Sequence, residues 1–410
     1  AVGTAALLKN VAANGVAVGV DAMRENTTGA NNTAVGMNSL KANTTGTENV
    51  AVGFSALLDV TTGGYNTAIG ASALENATTS SNNVAVGNSA MKACTTGTEN
   101  VAVGREALDA LVDVNGCVAV GYRALTASTG ADNTGLGKAA LLANTTGEQN
   151  VAVGLNALQA NTTANGNTAL GRSALYTNTT GATNVAVGKN ALYANTTASS
   201  NVGVGLSAGL HVTTGDDNVL IGVAAGASAN GITTGTQNTC VGTNTSTSAA
   251  DGNYQIILGA NVTGQANYHF VFGNGGSHRV YNAFNSNASW TRSSDERKKT
   301  NIADSTLGLD FINELRPVTF NWKDSRDTPK TFISYNADKN EMDTDITMHG
   351  MLAQDVKAAL DKAGVDTFGG WAEEKDGSQS ISQEMFVHPL IKAIQELSAE
   401  VEVLKAKLKD

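Results

Sequence analysis

The residues with the clearest chemical potential lie in the run Ser293-Ser294-Asp295-Glu296-Arg297-Lys298-Lys299. A serine hydroxyl is a weak nucleophile at its free pKa and needs a neighbouring base. Lys299, five residues beyond Ser294, is the candidate. Burial, or the adjacent Arg297 and Lys298, would disfavour its charge and bring it toward the neutral amine that a general base requires. Ser294 could then attack the carbonyl of Ser293 and cut the chain at that bond. By spacing alone, the run reads first as a solvated basic turn following an N-cap serine. Cys94, Cys117 and Cys240 have no metal-ligand spacing, and an odd number closes no intrachain framework, so plain thiols are expected. His211, His269, His278, His349 and His388 are scattered without zinc spacing. No metal or cofactor is therefore expected. Carboxylates fall at irregular positions, and no recurring acid–base pair supports a glycan-cleaving groove.

The elements that must position these residues belong to an unusual chain. Of 410 residues, 45 are Gly and only 3 Pro, and aromatics make up 5 %. A core with so few aromatics has to close with Ala, Val and backbone, which favours a thin, elongated object. Apolar residues at 41 % exclude simple disorder, and the absence of a Gly-X-Y repeat excludes collagen. A net charge of -10 argues against a nucleic-acid surface. No apolar run approaches the ~20 residues that cross a bilayer, so no membrane insertion is expected. Ala1 falls inside a repeat, so a longer parent chain is expected.

Internal repetition dominates. A glycine closes an A-V-G-like triplet at 3, 19, 36, 53, 70, 87, 104, 121, 137, 154, 171, 188, 205, 222 and 242, mostly in steps of 17. The unit reads N-[TV]-A-V-G-x-x-A-L-x-x-N-T-T-G-x-x. Its N-T-A-V-G portion predicts a short strand whose copies stack in register, Asn on Asn and Val on Val, with amides bonded along the ladder. A-L-x-x-N-T-T-G predicts one helical turn or a tight loop in which Leu is the single large apolar plug. One Leu and one Val per rung bury little surface, so three chains sharing a central axis are expected. Fourteen intervals at ~4.8 Å give a length of about 70 Å. The fold class expected is mainly β: a trimeric parallel β-solenoid or β-roll over 1–246, a β connector over 247–290, and a small α+β domain over 291–410 ending in a coiled-coil helix at about 389–410. The unit resembles the head repeats of trimeric autotransporter adhesins and of many bacteriophage tail fibres, over roughly 1–246.

Within the connector, Y-Q-I-I-L-G and Y-H-F-V-F-G read as strands, and Asn274-Gly275 favours a hairpin. Beyond it, residues 291–410 carry 16 of the 26 basic and 22 of the 36 acidic side chains and all the prolines, an ordinary globular composition. Leu390, Ile394, Leu397, Val401, Leu404 and Leu408 alternate steps of four and three, an a/d seam. Ser294, Asp295, Arg297, Lys299 and Ile302 fit S-D-x-R-x-K-x-x-I, Leu315 to Trp322 fit L-R-P-V-x-F-x-W, and His349 to Gln354 fit H-G-x-x-A-Q. With these three ordered motifs the segment resembles the intramolecular chaperone of phage tailspikes and fibres, the S74 peptidase family. The resemblance implies a homotrimer, assistance to the fibre upstream, and self-cleavage before Ser294 by Ser294 and Lys299. Asp295, Arg297 and His349 would support the pair.

Two functional classes follow. The first is a virion tail fibre, acting outside the cell with other tail proteins on a host cell-surface receptor, either glycan or protein; its nearer rival is a fragment of a bacterial trimeric surface adhesin. The second, more remote, takes the repeated Thr-Thr pairs, as at Thr44-Thr45, for an ice-binding solenoid. Such a solenoid leaves the C-terminal domain without a role.

Overall fold

A computed structural model describes the chain apart from residues 229, 276–277, 284–286, 292–293, 333, 339, 341, 343 and 409–410; for 287–291 it describes the backbone only. Two compact units divide it, Ala1–Ser293 and Ser294–Asp410.

The first unit is a parallel β-solenoid of stacked turns of about 17 residues. Each turn contributes one three-residue strand, from β1 (Val16–Val18) to β14 (Thr239–Val241). Neighbours pair in register, repeat on repeat, as Val50↔Thr67, Ala51↔Ala68 and Val52↔Ile69. The period expected to stop at 246 goes on. β15 (Ile256–Ala260) pairs with β14 at the same 17-residue offset, Thr239↔Ile256. β16 (His269–Asn274) follows in parallel, and β17 (His278–Ala283) and β18 (Asn287–Thr291) then turn antiparallel. The repeat is disguised at β15 by Gln255, which stands where Asn stands in most rungs; the Gln255 N–H still donates to Asn238 Oδ1 at 3.0 Å.

The core is built differently from the Leu-plus-Val pair expected. The middle strand residue, usually Ala, points inward and is fully buried, as at Ala51, Ala102 and Ala152, while the flanking Val or Thr faces out. Leu57, Leu108, Leu158 and their equivalents come across from the A-L segment and fill the interior within one chain. With Leu opposite, the strand has room only for a methyl group. The exchange at the thirteenth strand shows the volume rule: Leu220 replaces the inward Ala, and Gly209 and Gly226 replace the Leu in the flanking turns. A Cβ at Gly209 or Gly226 would sit 2.8 or 2.7 Å from the Leu220 methyls.

The A-L segment is not a helical turn. Two of its residues per rung take left-handed backbone, with Ser55 at φ 54° and Leu57 at φ 50° as one example. Alternating hands aim the N–H and C=O groups along the stack rather than along a helix, and neighbouring turns satisfy them, as Leu57 N–H to Ala73 C=O at 3.0 Å and Ser55 N–H to Met37 C=O at 3.0 Å. That stacking holds a branched side chain in a conformation it would otherwise avoid. The A-V-G glycine is obligatory for two reasons. Gly154 has φ +135°, and a Cβ there would lie 2.6 Å from the Gly171 carbonyl oxygen.

Two buried asparagine ladders complete the interior. In the first, Oδ1 accepts the next rung's backbone N–H, as Asn49 Oδ1 from Asn66 N–H at 3.1 Å, and Nδ2 donates to a turn carbonyl, Asn49 to Gly63 at 2.9 Å; Cys117 interrupts it at β7 (Val118–Val120). The second runs through the N-T-T-G asparagines, Asn161 Nδ2 to Asn144 Oδ1 at 2.8 Å and Asn178 to Asn161 at 2.9 Å. Asn43 Oδ1 and Asn195 Oδ1 are buried without a partner because the next rungs carry Val60 and Val212, where the ladder ends.

The second unit is a small α/β region with a C-terminal helix. Its helices are α1 (Leu309–Glu314), α2 (Ala353–Lys362) and α3 (Val387–Lys407). Two antiparallel pairs accompany them, β19 (Val318–Phe320) with β20 (Met348–Gly350) and β21 (Trp371–Glu373) with β22 (Gln379–Ile381). Leu307, Phe311, Val356, Leu360 and Phe386 form the core, with Phe368 edge-on to Phe311 and Phe386.

Candidate self-cleavage site

The chain from Ser294 to Lys299 folds back through a single 3₁₀ turn, Glu296–Lys298. Asp295 caps it: its Oδ1 accepts the Arg297 N–H at 2.9 Å, one of the donors that a helical turn leaves unsatisfied. The Arg297 guanidinium grips the same carboxylate, Nε to Oδ1 at 3.0 Å and Nη2 to Oδ2 at 2.6 Å. These bonds from Arg297 hold the Asp295 carboxyl below the usual carboxylate range, with Lys298 and Lys299 adding to the effect. At the far end the Lys299 N–H donates to the Glu296 carbonyl at 2.9 Å.

The turn returns Lys299 to Ser294. Its Nζ donates to Ser294 Oγ at 2.7 Å, so the two residues expected as nucleophile and base are in direct contact. Both are exposed, so the burial expected around Lys299 is not found among the described residues. Ser293, on the other side of the expected scissile bond, lies outside the described residues. His349 is not gathered into the group. It sits on β20 opposite Thr319, exposed, and among the described residues no hydrogen bond or ion pair joins it to Ser294 or Lys299.

The other two motifs supply elements of the α/β region itself. Leu315 to Trp322 follow α1 directly and supply β19, with Phe320 edge-on to Trp322, and Arg316 reaches Asp355 of α2 at 2.9 Å. His349 to Gln354 supply β20 and the start of α2. Residues 294–365 match the family described as the chaperone of endosialidase, Peptidase S74. The match to the S74 family begins at Ser294 itself. No curated protein and no solved structure matches the chain.

Sequence reasoning missed one side chain that ties the S74-matched segment to the helix beyond it. Glu396 of α3 accepts the Leu309 N–H at 2.7 Å and so caps α1. Gly308 leaves the space, since a Cβ there would lie 2.2 Å from Glu396 Oε2; the only signal was a glycine immediately before an apolar periodic run. Pro389 and Ala393 are the buried residues of α3. The a/d seam stays uncovered: Leu390, Ile394, Leu397, Val401, Leu404 and Leu408 are all exposed, Ile394 by 66 %.

Proposed function

We propose that this chain is a homotrimeric bacteriophage tail-fibre protein. Its repeats form the shaft or receptor-binding part that attaches the virion, with other tail proteins, to a glycan or protein on the host cell surface. The C-terminal unit is its intramolecular chaperone, and it cuts itself away before Ser294. The observation that carries this reading is the 2.7 Å contact between Lys299 Nζ and Ser294 Oγ at the first residue of the S74 match. The exposed α3 seam supports parallel copies, because an a/d stripe left largely open to solvent among the described residues is what a coiled coil buries between chains.

In the reaction, Ser294 Oγ adds to the carbonyl carbon of residue 293 while its proton passes to the Lys299 amine, which serves as base once it has itself given up a proton. The 293–294 C–N bond then breaks, and the released amine takes the proton. Residue 293 is left as an ester on Ser294 Oγ. Water hydrolyses that ester, giving a carboxylate on 293 and a free Ser294 that begins the fragment 294–410. Asp295 and Arg297 act by holding the turn. Removing the chaperone makes folding one-way, since the trimer can no longer return along its assembly route and its lifetime is set by the unfolding barrier.

The test is intact mass under denaturing conditions. The parent is expected to give two chains cut at 293/294, and Ser294→Ala and Lys299→Ala a single full-length chain. A parent that trimerises and stays intact would reduce the unit to a non-cleaving chaperone.

A further inference from the structure

The charges of the repeats change character partway along the solenoid. Six Lys and Arg side chains precede residue 133, and each has a carboxylate partner: Lys9 with Glu25, Arg24 and Lys41 with Asp21, Lys92 with Glu75, and Arg105 and Arg123 with Glu106. Residues 133–215 carry Lys138, Arg172 and Lys189 against a single carboxylate, Glu148. All three cations are exposed, and among the described residues no ion pair joins any of them to Glu148 or to another carboxylate. In a chain of net charge -10 they form a local positive strip, which draws in anions. Two of them share their rungs with tyrosine. Arg172 and Lys189 stand one residue after the turn glycines Gly171 and Gly188, and Tyr176 and Tyr193 stand five after. Positions one, two and five after that glycine lie side by side on one face. Ion pairs join the first to the second, Arg105 to Glu106, and the second to the fifth, Asp21 to Arg24 and Lys41. The second position here is Ser173 and Asn190, so a polar floor lies between a cationic and an aromatic column. The two tyrosine rings stack with centroids 5.0 Å apart and planes 1° from parallel. Neither phenol hydroxyl has a hydrogen-bond partner among the described residues. One rung back in the tyrosine column, Gln159 holds its Oε1 buried with no donor.

We propose that Arg172, Tyr176, Lys189 and Tyr193 form a binding site for an acidic glycan, a chain of carboxylate-bearing sugars lying along the stack. The inference rests on the receptor-binding role proposed above and gives it a site and a ligand class. A guanidinium meets a carboxylate in a bidentate fork, and an ammonium one rung on meets the next as a point charge. The rungs are ~4.8 Å apart, about the length of one pyranose ring, so successive sugars meet successive rungs. Phenol, amide and hydroxyl groups both donate and accept, which suits vicinal sugar hydroxyls, and a hydroxyl beside Gln159 supplies the donor its buried oxygen lacks. A protein partner draws its energy from apolar anchors in a closed pocket, and the floor here is polar.

Binding of the full-length protein to surfaces coated with polygalacturonate, hyaluronate or alginate, three uronate chains of different linkage, tests this at physiological salt. Methyl-esterified polygalacturonate serves as the uncharged counterpart and poly-glutamate as the acidic peptide. The parent is expected to bind at least one uronate chain and to ignore the ester. The double variant Arg172→Gln with Lys189→Gln should bind at least ~tenfold more weakly, since each cation gives up a charge-assisted hydrogen bond. Tyr176→Phe with Tyr193→Phe keeps the ring stack, removes only the hydroxyls and should lose ~threefold or more. Lys92→Gln removes an exposed cation already paired with Glu75 and should change nothing. A parent that binds no uronate chain, a double variant that binds as the parent does, or poly-glutamate bound as well as the sugars overturns the site. The labelled parent and double variant are also applied to a panel of bacterial strains. Equal cell binding by the two overturns the site and leaves the attachment role standing, whereas a parent that binds neither cells nor uronate chains overturns both.

Discussion

Replacing one rung of the buried asparagine ladder isolates what the amides contribute. In Asn150→Ala the backbone N–H at position 150 keeps its bond to Asn133 Oδ1, 3.0 Å in the parent, and the Ala164 carbonyl keeps Asn161 Nδ2 at 3.1 Å. The Asn167 N–H loses its acceptor, Asn150 Oδ1 at 2.9 Å, in a wholly buried position. Leaving a buried donor unmade costs roughly 1–3 kcal/mol, and the space vacated by the carboxamide adds roughly 1 kcal/mol in a close-packed interior. The sum, about 3 kcal/mol, is a factor of roughly 10² in the local opening equilibrium. Because solenoid rungs interact only with their neighbours, the loss should concentrate near residues 133–184 rather than spread through the unit. Amide hydrogen exchange read by mass spectrometry is the assay. Peptides covering Asn167 should exchange on the order of 10² faster than in the parent, while those near Asn66 stay unchanged. An exchange profile no different from that of the exposed control Thr163→Ala would refute the assignment of the ladder as a stabilising element.

Gly154→Ala should be among the most damaging single changes, by more than ~3 kcal/mol, since it combines a backbone region reserved for glycine with a Cβ driven into the next rung's carbonyl; soluble yield and melting temperature are the measurements. Native thiols should resist a disulfide-exchange reagent at pH 8 and all three should react after denaturation, because burial holds Cys240 near 12 and Cys94 near 11, far above the ordinary thiol. Asp295 has its folded pKa lowered, so whatever it contributes to the 294–299 turn is complete above the unfolded value near ~3.9 and is lost only as pH falls through the lower folded value. The Asp295–Arg297 resonances, followed by NMR in the uncleaved Ser294→Ala chain, should therefore hold unchanged from pH 7 to 5. Ile394→Asp, which puts a charge into the open α3 seam, should lower the sedimentation coefficient of the full chain at micromolar concentration while leaving its helix content intact.

Much of this molecule was legible before any coordinate, because translation along a solenoid is the simplest relation between sequence and space. A residue recurring every 17 positions must stack on its own copies, so the ladders of Asn, Val and Gly followed from counting alone. The pairing of Ser294 with Lys299 was legible only through the three ordered motifs, since spacing alone reads the run as a basic turn after an N-cap serine; in the structure the cap is Asp295, and the turn it starts brings both ends together. What counting could not decide was which side of each strand faces inward. Ala and Val are both apolar, and alternation allows either to be buried. Only the closed turn shows that Leu fills the interior and leaves the strand space for a methyl group, which sends Val to the surface. The left-handed backbone at Leu57 and its copies was hidden for the same reason, since no local preference of Leu favours it and neighbouring rungs impose it through their hydrogen bonds. The solenoid's continuation through β15 and β16 and the cap from Glu396 to Leu309, 87 residues apart, likewise belong to the tertiary structure. In each case the deciding partner lies in another turn or helix, beyond the reach of any single stretch of sequence.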